Sequence, residues 1–134
     1  MIVIGHSSIE CKNFIKIKNI SDIEKTNPAD IVWFDANDDK NYHLSRHCKE
    51  NEIEYAIFLF YLKDAIFYNN LGAKYILNLN LKQCKKLQKL ADMYFFDSKI
   101  IYIVSDFNEI EKIALSGIDG VILDSILNLS SKKS

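Results

Sequence analysis

Proline occurs once and glycine four times in 134 residues. So little turn chemistry excludes collagen-like and low-complexity chains, and it argues for dense elements joined by short loops. Cysteine is sparse and scattered, at Cys11, Cys48 and Cys84, with no CxxC pair. That excludes a disulfide framework and points to reduced thiols in a cytoplasmic protein. Acidic and basic residues nearly cancel, 18 against 17, so the bulk charge does not call for nucleic acid. Arginine is almost missing, with Arg46 alone beside many lysines; together with frequent Ile and Asn this reads as the codon bias of an AT-rich, bacterial genome. The longest apolar run, 55–62, is far below the roughly 20 residues that cross a bilayer, so no membrane contact is expected. The opening Met1-Ile-Val-Ile-Gly-His-Ser-Ser8 has no basic start before its short apolar run, so no signal peptide is expected. Its single glycine, Gly5, also fails to make a phosphate-cradling loop.

What is present is 49% apolar and 26% charged, the balance of one globular domain. It is placed at 1–129, with 130–134 as a polar tail. Short apolar runs recur at 1–4, 14–18, 31–35, 55–61, 75–79, 100–104 and 120–123. Most are continuous, the mark of parallel strands covered on both faces. The run 14–18 alternates with lysine instead, which predicts an edge strand or one with a wet face. Amphipathic segments lie between the strands. Asn80 is placed to cap a helix through about Phe95, with Leu81, Cys84, Leu87, Leu90, Ala91 and Tyr94 on one side and a lysine stripe (82, 85, 86, 89) on the other. Asp106-Phe-Asn-Glu109 has the spacing of a capping box. Asp38 or Asp39 is placed to cap the helix that carries His43 and His47.

The chain also repeats itself. Residues 55–72 superpose without a gap on 100–117, and a weaker copy spans 22–35. The architecture implied is an α/β fold with a parallel sheet of about seven short strands in βα units. If successive strands add in one direction, the sheet curls toward a small or incomplete TIM-like barrel, the preferred expectation. If the order reverses once, it becomes a flavodoxin- or receiver-like doubly wound sandwich.

Two family resemblances follow. The stretch from Ile101 to Asp124, with its Gly117-Ile-Asp-Gly120 step into an apolar strand, resembles the last βαβ unit of the glycerophosphodiester phosphodiesterases, which are TIM barrels. Ile4-Gly-His-Ser7 and Ala29-Asp-Ile-Val-Trp-Phe-Asp35 resemble that family's first two motifs. The resemblance carries over only His6 and Asp35, because Ser7 replaces an Arg and Trp33 a metal-binding Glu. Over residues 1–92 the chain also resembles response-regulator receiver domains. Ile31-Val-Trp-Phe-Asp35 matches the phosphoacceptor strand, and the passage from Asp64 to Leu77 matches the helix, Leu-Gly-Ala and strand that follow. Gly5-His-Ser-Ser8 stands where the Mg²⁺-binding acids belong, Phe60 or Tyr61 where Thr or Ser belongs, and Leu79 where Lys belongs. Such a receiver is degenerate and serves contacts.

Parallel α/β folds bind ligands at the carboxyl ends of their strands. The candidate ligand residues there are His6, Ser7, Asp35, Asn37, Asn78, Ser105 and Asp124; helix capping accounts for Asn80, Asp106 and Ser125. No metal site and no cofactor are expected, since His43 and His47 are four apart but lack further ligands. The lysine stripe, joined by Lys132 and Lys133, is expected to be a solvated face. Aromatics at Tyr61, Phe67, Tyr68, Tyr94, Phe95 and Phe96 exceed what helix interiors need and suggest an exposed patch. The expected function is therefore a non-catalytic binding or protein-interaction module, as a homodimer or in a larger complex. The alternative is an enzyme that processes a small phosphate or phosphodiester at a reduced site. Edge strands left by an unclosed sheet need a cover, either a second copy or the chain's own Ile126-Leu-Asn-Leu129.

Overall fold

Hydrogen bonds join seven strands into one parallel sheet: β1 (Ile2–Ile4), β2 (Phe14–Lys16), β3 (Ile31–Asp35), β4 (Tyr55–Phe58), β5 (Tyr75–Asn78), β6 (Lys99–Val104) and β7 (Gly120–Leu123). The computed structural model describes residues 1–129; the predicted polar tail 130–134 lies outside them. The helices are α1 (Ile20–Glu24), α2 (His43–Glu50), α3 (Leu62–Asn70), α4 (Leu81–Met93) and α5 (Ile110–Leu115). Each predicted strand is present within a few residues of its predicted bounds. Every neighbouring pair is parallel, as βα crossovers require.

The order is β1-β7-β6-β5-β4-β3-β2, the cyclic order of a barrel left open between β1 and β2. The sheet curls into a half-barrel. Its direction never reverses, which sets aside the doubly wound alternative. Packing agrees: the buried helix residues Ile23, Leu44, Cys48, Tyr68, Leu87 and Ile113 share one cluster with the outward strand residues. The inward residues, among them Trp33, Phe58, Leu77, Ile101 and Ile122, form a second cluster without any α-helix. Alternation along β4 shows the division, with Tyr55 and Ile57 under the helices and Ala56 and Phe58 on the concave face.

As the lysine alternation predicted, β2 is an edge strand, with Ile15 and Lys16 exposed. Its neighbour across the seam comes from the chain itself. A 3-10 turn at Asp124–Leu127 packs against β2. Leu127 is buried in the concave cluster, with Ile126 and Leu129 against it. The apolar 126–129 segment thus packs on the concave cluster beside β2, whereas the expectation was a cover for the backbone of the sheet edges.

The internal repeat is visible in the geometry. The strands after it start at Tyr75 and Gly120, 45 residues apart, and the helices before them end at Asn70 and Leu115, again 45 apart. Gly72 and Gly117 both take the left-handed conformation, at φ +81° and +80°, which turns the chain out of each helix.

Two helix expectations need correction. The proposed box at Asp106 does not form: its carboxylate accepts from the Asn108 amide at 2.9 Å, and α5 begins only at Ile110, with no side-chain cap. In this stretch the Phe107 ring packs on the helix-side core and against His6. Tyr94 leaves the apolar side of α4, which stops at Met93, and is 64% exposed.

Candidate functional site

The carboxyl ends of the strands bring the predicted polar residues to one rim and then mostly bind them into its loops. Asp35 accepts from the Asn37 amide at 2.8 Å and so caps the 3-10 turn Ala36–Asp38. Asn78 is buried; its amide donates to the Leu59 carbonyl at 2.9 Å and its oxygen accepts from the Asn80 amide at 2.8 Å. Asn80 in turn accepts from the Gln83 amide at 2.9 Å, the predicted cap of α4. His6 Nδ1 accepts from the Ser8 amide at 3.1 Å, and its ring lies 5.7 Å from that of Phe107. Ser7 and Asn37 are exposed.

Ser105 and Asp124 do come together. They line a cavity of about 440 Å³ at the ends of β5, β6 and β7, with Leu79, Tyr102, Asp106 and Glu109. Its charged groups are all carboxylates. Burial, with Cys84 and Glu109 nearby, pushes the Tyr102 phenol up from its ordinary value. Three carboxylates and no cation repel phosphate and favour a cationic group.

A second cavity, about 400 Å³, lies on the other side of Leu79, lined by Phe60, Asn78, Asn80, Lys82, Gln83 and Lys86. Its charged groups are both ammoniums. Its floor is stitched by Asn78 and by Gln83, whose amide donates to the Phe60 carbonyl at 3.0 Å. Sequence reading treated the lysine stripe as a plain solvated face. The signal that separates Lys82 and Lys86 from Lys85 and Lys89 is their spacing of four, which puts both on the face of α4 beside the Phe60 loop.

On the helix side, Asp39 is the most heavily bonded carboxylate. It accepts from the Leu44 and Ser45 amides (2.7 and 3.2 Å), the Ser45 hydroxyl (2.7 Å) and the Tyr68 hydroxyl (2.9 Å). Asp39 thereby caps α2, while burial and the bond to Asp39 push the Tyr68 phenol well up. His43 and His47 do not converge: His43 Nδ1 contacts the Lys40 carbonyl and His47 Nδ1 faces Asn51. No group of three or more potential metal ligands occurs among the described residues.

The thiols divide cleanly. Cys11 is exposed, whereas Cys48 and Cys84 are buried and both pushed up to about 12, chiefly by burial. Since the thiolate is the reactive form, one thiol per chain is expected to react quickly with a disulfide reagent near pH 8 in the native protein. The other two should react only after denaturant is added. Three fast thiols in the native state would contradict this burial.

No family model matches the chain, and no curated protein matches it.

Proposed function

We propose that the chain is a non-catalytic binding or protein-interaction module. The observation that carries this reading is the bonding of the rim: Asp35, Asn78 and His6 each spend a polar atom on their own loops, whereas catalysis needs a base and a nucleophile aimed at one reacting atom. Exposed aromatics supply the contact surface in its place, with Phe60, Tyr61 and Phe67 from 46% to 63% exposed, although Tyr68, expected among them, is buried. A second copy or another protein is the partner class, in a bacterial cytoplasm. No helix of the described residues is long and apolar enough to cross a membrane.

A small phosphate or phosphodiester is the second reading, and Lys82 and Lys86 favour it. It belongs at their cavity, because the carboxylates beside Ser105 and Asp124 oppose it. The test is incubation with a chromogenic phosphodiester plus Mg²⁺ or Ca²⁺, and separately with acetyl phosphate. No turnover and no phosphorylation of Asp35 are expected. Turnover that His6→Ala or Asp35→Asn abolishes would overturn the proposal in favour of a reduced enzyme.

A further inference from the structure

Two neighbouring cavities of opposite sign share one apolar wall, and together they make a self-complementary face. On one side of Leu79 stand Lys82 and Lys86; on the other stand Asp106, Glu109 and Asp124. Among the described residues neither lysine forms an ion pair, and neither do Asp106 and Asp124; Glu109 meets only the exposed Lys112, at 4.0 Å. The wall is exposed as well, Leu79 at 53%, with Phe60 at 46% and Tyr61 at 63% on the adjacent loop.

A two-fold axis sets a patch of one copy against the same patch of the other, so any feature off the axis meets its opposite across it. With the axis through Leu79, the basic cavity of each copy faces the acidic cavity of its partner. Leu79 meets Leu79, flanked by Phe60 and Tyr61, and the charges fall on either side of this apolar centre. That is the anatomy of a specific interface, with an apolar core inside a polar rim. The surface it requires is ordinary: roughly a tenth of the area of a small protein, about 800 Å² per copy, out of 7956 Å² here.

From this geometry we propose that the chain self-associates as a two-fold dimer through the carboxyl-end face of β4 to β7. Lys82 and Lys86 of each copy enter the carboxylate cavity of the other. The proposal rests on the binding-module reading and names its partner as a second copy of this chain. Complementary charge also accelerates encounter and makes association depend on salt.

The experiment is light scattering on size-exclusion fractions of the full chain across micromolar concentrations, at about 50 mM and about 500 mM salt, which span strong and weak screening. The wild type is expected at twice the 15.5 kDa chain mass in low salt, shifting toward monomer in high salt. Lys82→Glu/Lys86→Glu and Asp106→Lys/Glu109→Lys are each expected to be monomeric, since each sets like charge against like. Mixed in equal amounts, the two variants should dimerise again, because both halves of the mixed interface regain opposite sign. Circular dichroism establishes that each variant is folded; where one is not, the Lys→Ala pair takes its place with a weakened dimer as the expected result. A wild type that stays monomeric, a reversed variant that dimerises like the wild type, or a folded mixture that stays monomeric overturns the proposal. None of these outcomes bears on the turnover assay, so the dimer can fail while the non-catalytic reading stands.

Discussion

Replacing Asp39 by alanine is expected to lower stability by about 3–5 kcal/mol, because several buried donors lose their shared acceptor at once. Its side chain is fully enclosed and accepts four hydrogen bonds, from two amides and two hydroxyls. Alanine leaves those donors without an acceptor, and each buried orphan carries its own desolvation cost of about 1–3 kcal/mol. For a chain of this size the midpoint should fall by about 10–20 °C. Tyr68→Phe removes only one donor, so its cost should stay near 1 kcal/mol. Urea titration of the two single variants and the double variant checks both values, and the double should fall short of additivity because the residues share a bond. A loss below about 0.5 kcal/mol for Asp39→Ala would mean that the network contributes nothing.

Gly120→Ala is the second large effect. A Cβ at this position would lie 2.5 Å from the Ile2 carbonyl oxygen, 2.6 Å from Ile2 Cβ and 2.9 Å from Ile101 Cδ1. Gly120 pairs with Ile2 on one side and Ile101 on the other, so the clash falls on backbone that cannot yield without opening the β1–β7 ladder. Overpacking in a core usually costs about 1–3 kcal/mol; with backbone as the obstacle about 3 kcal/mol or more is expected. Amide exchange at β1 should speed up while β3 to β5 stay protected. Gly117→Ala is the control: nothing lies within 4 Å of its Cβ, so only the strain of its positive φ remains, about 1 kcal/mol. Equal losses at both positions would refute the steric account.

Much of this fold was legible because buried parallel strands are written as unbroken apolar runs. Ile31-Val-Trp-Phe and Tyr55-Ala-Ile-Phe are buried throughout, and no loop of this composition imitates them. The 45-residue repeat carried the positions of Gly72 and Gly117 as well. Pairing across the sheet was harder, since β1 contains no sign that its neighbour is β7 rather than β2. At the rim, sequence named the residues but not their orientation. Asp35 accepts the Asn37 amide of its own loop, and Asp106 accepts the Asn108 amide rather than the one its spacing predicts. The opposed cavities around Leu79 arise from loops β5–α4 and β6–α5, and their adjacency exists only in three dimensions.

The pairing of β1 with β7 also bears on how a ribosome delivers this molecule. Strands β2 to β6 each pair with the next one made, so the sheet can lengthen as it emerges. Ile2 must wait for Gly120, 118 residues later, before its ladder can form. Of these seven strands β1 is made before the others and docks last, and until then it leaves Ile2, Val3 and Ile4 open to any other unpaired edge. Long-range parallel pairing of this kind slows folding and lengthens exposure to aggregation. Strand β1 is where a holding chaperone would be needed most.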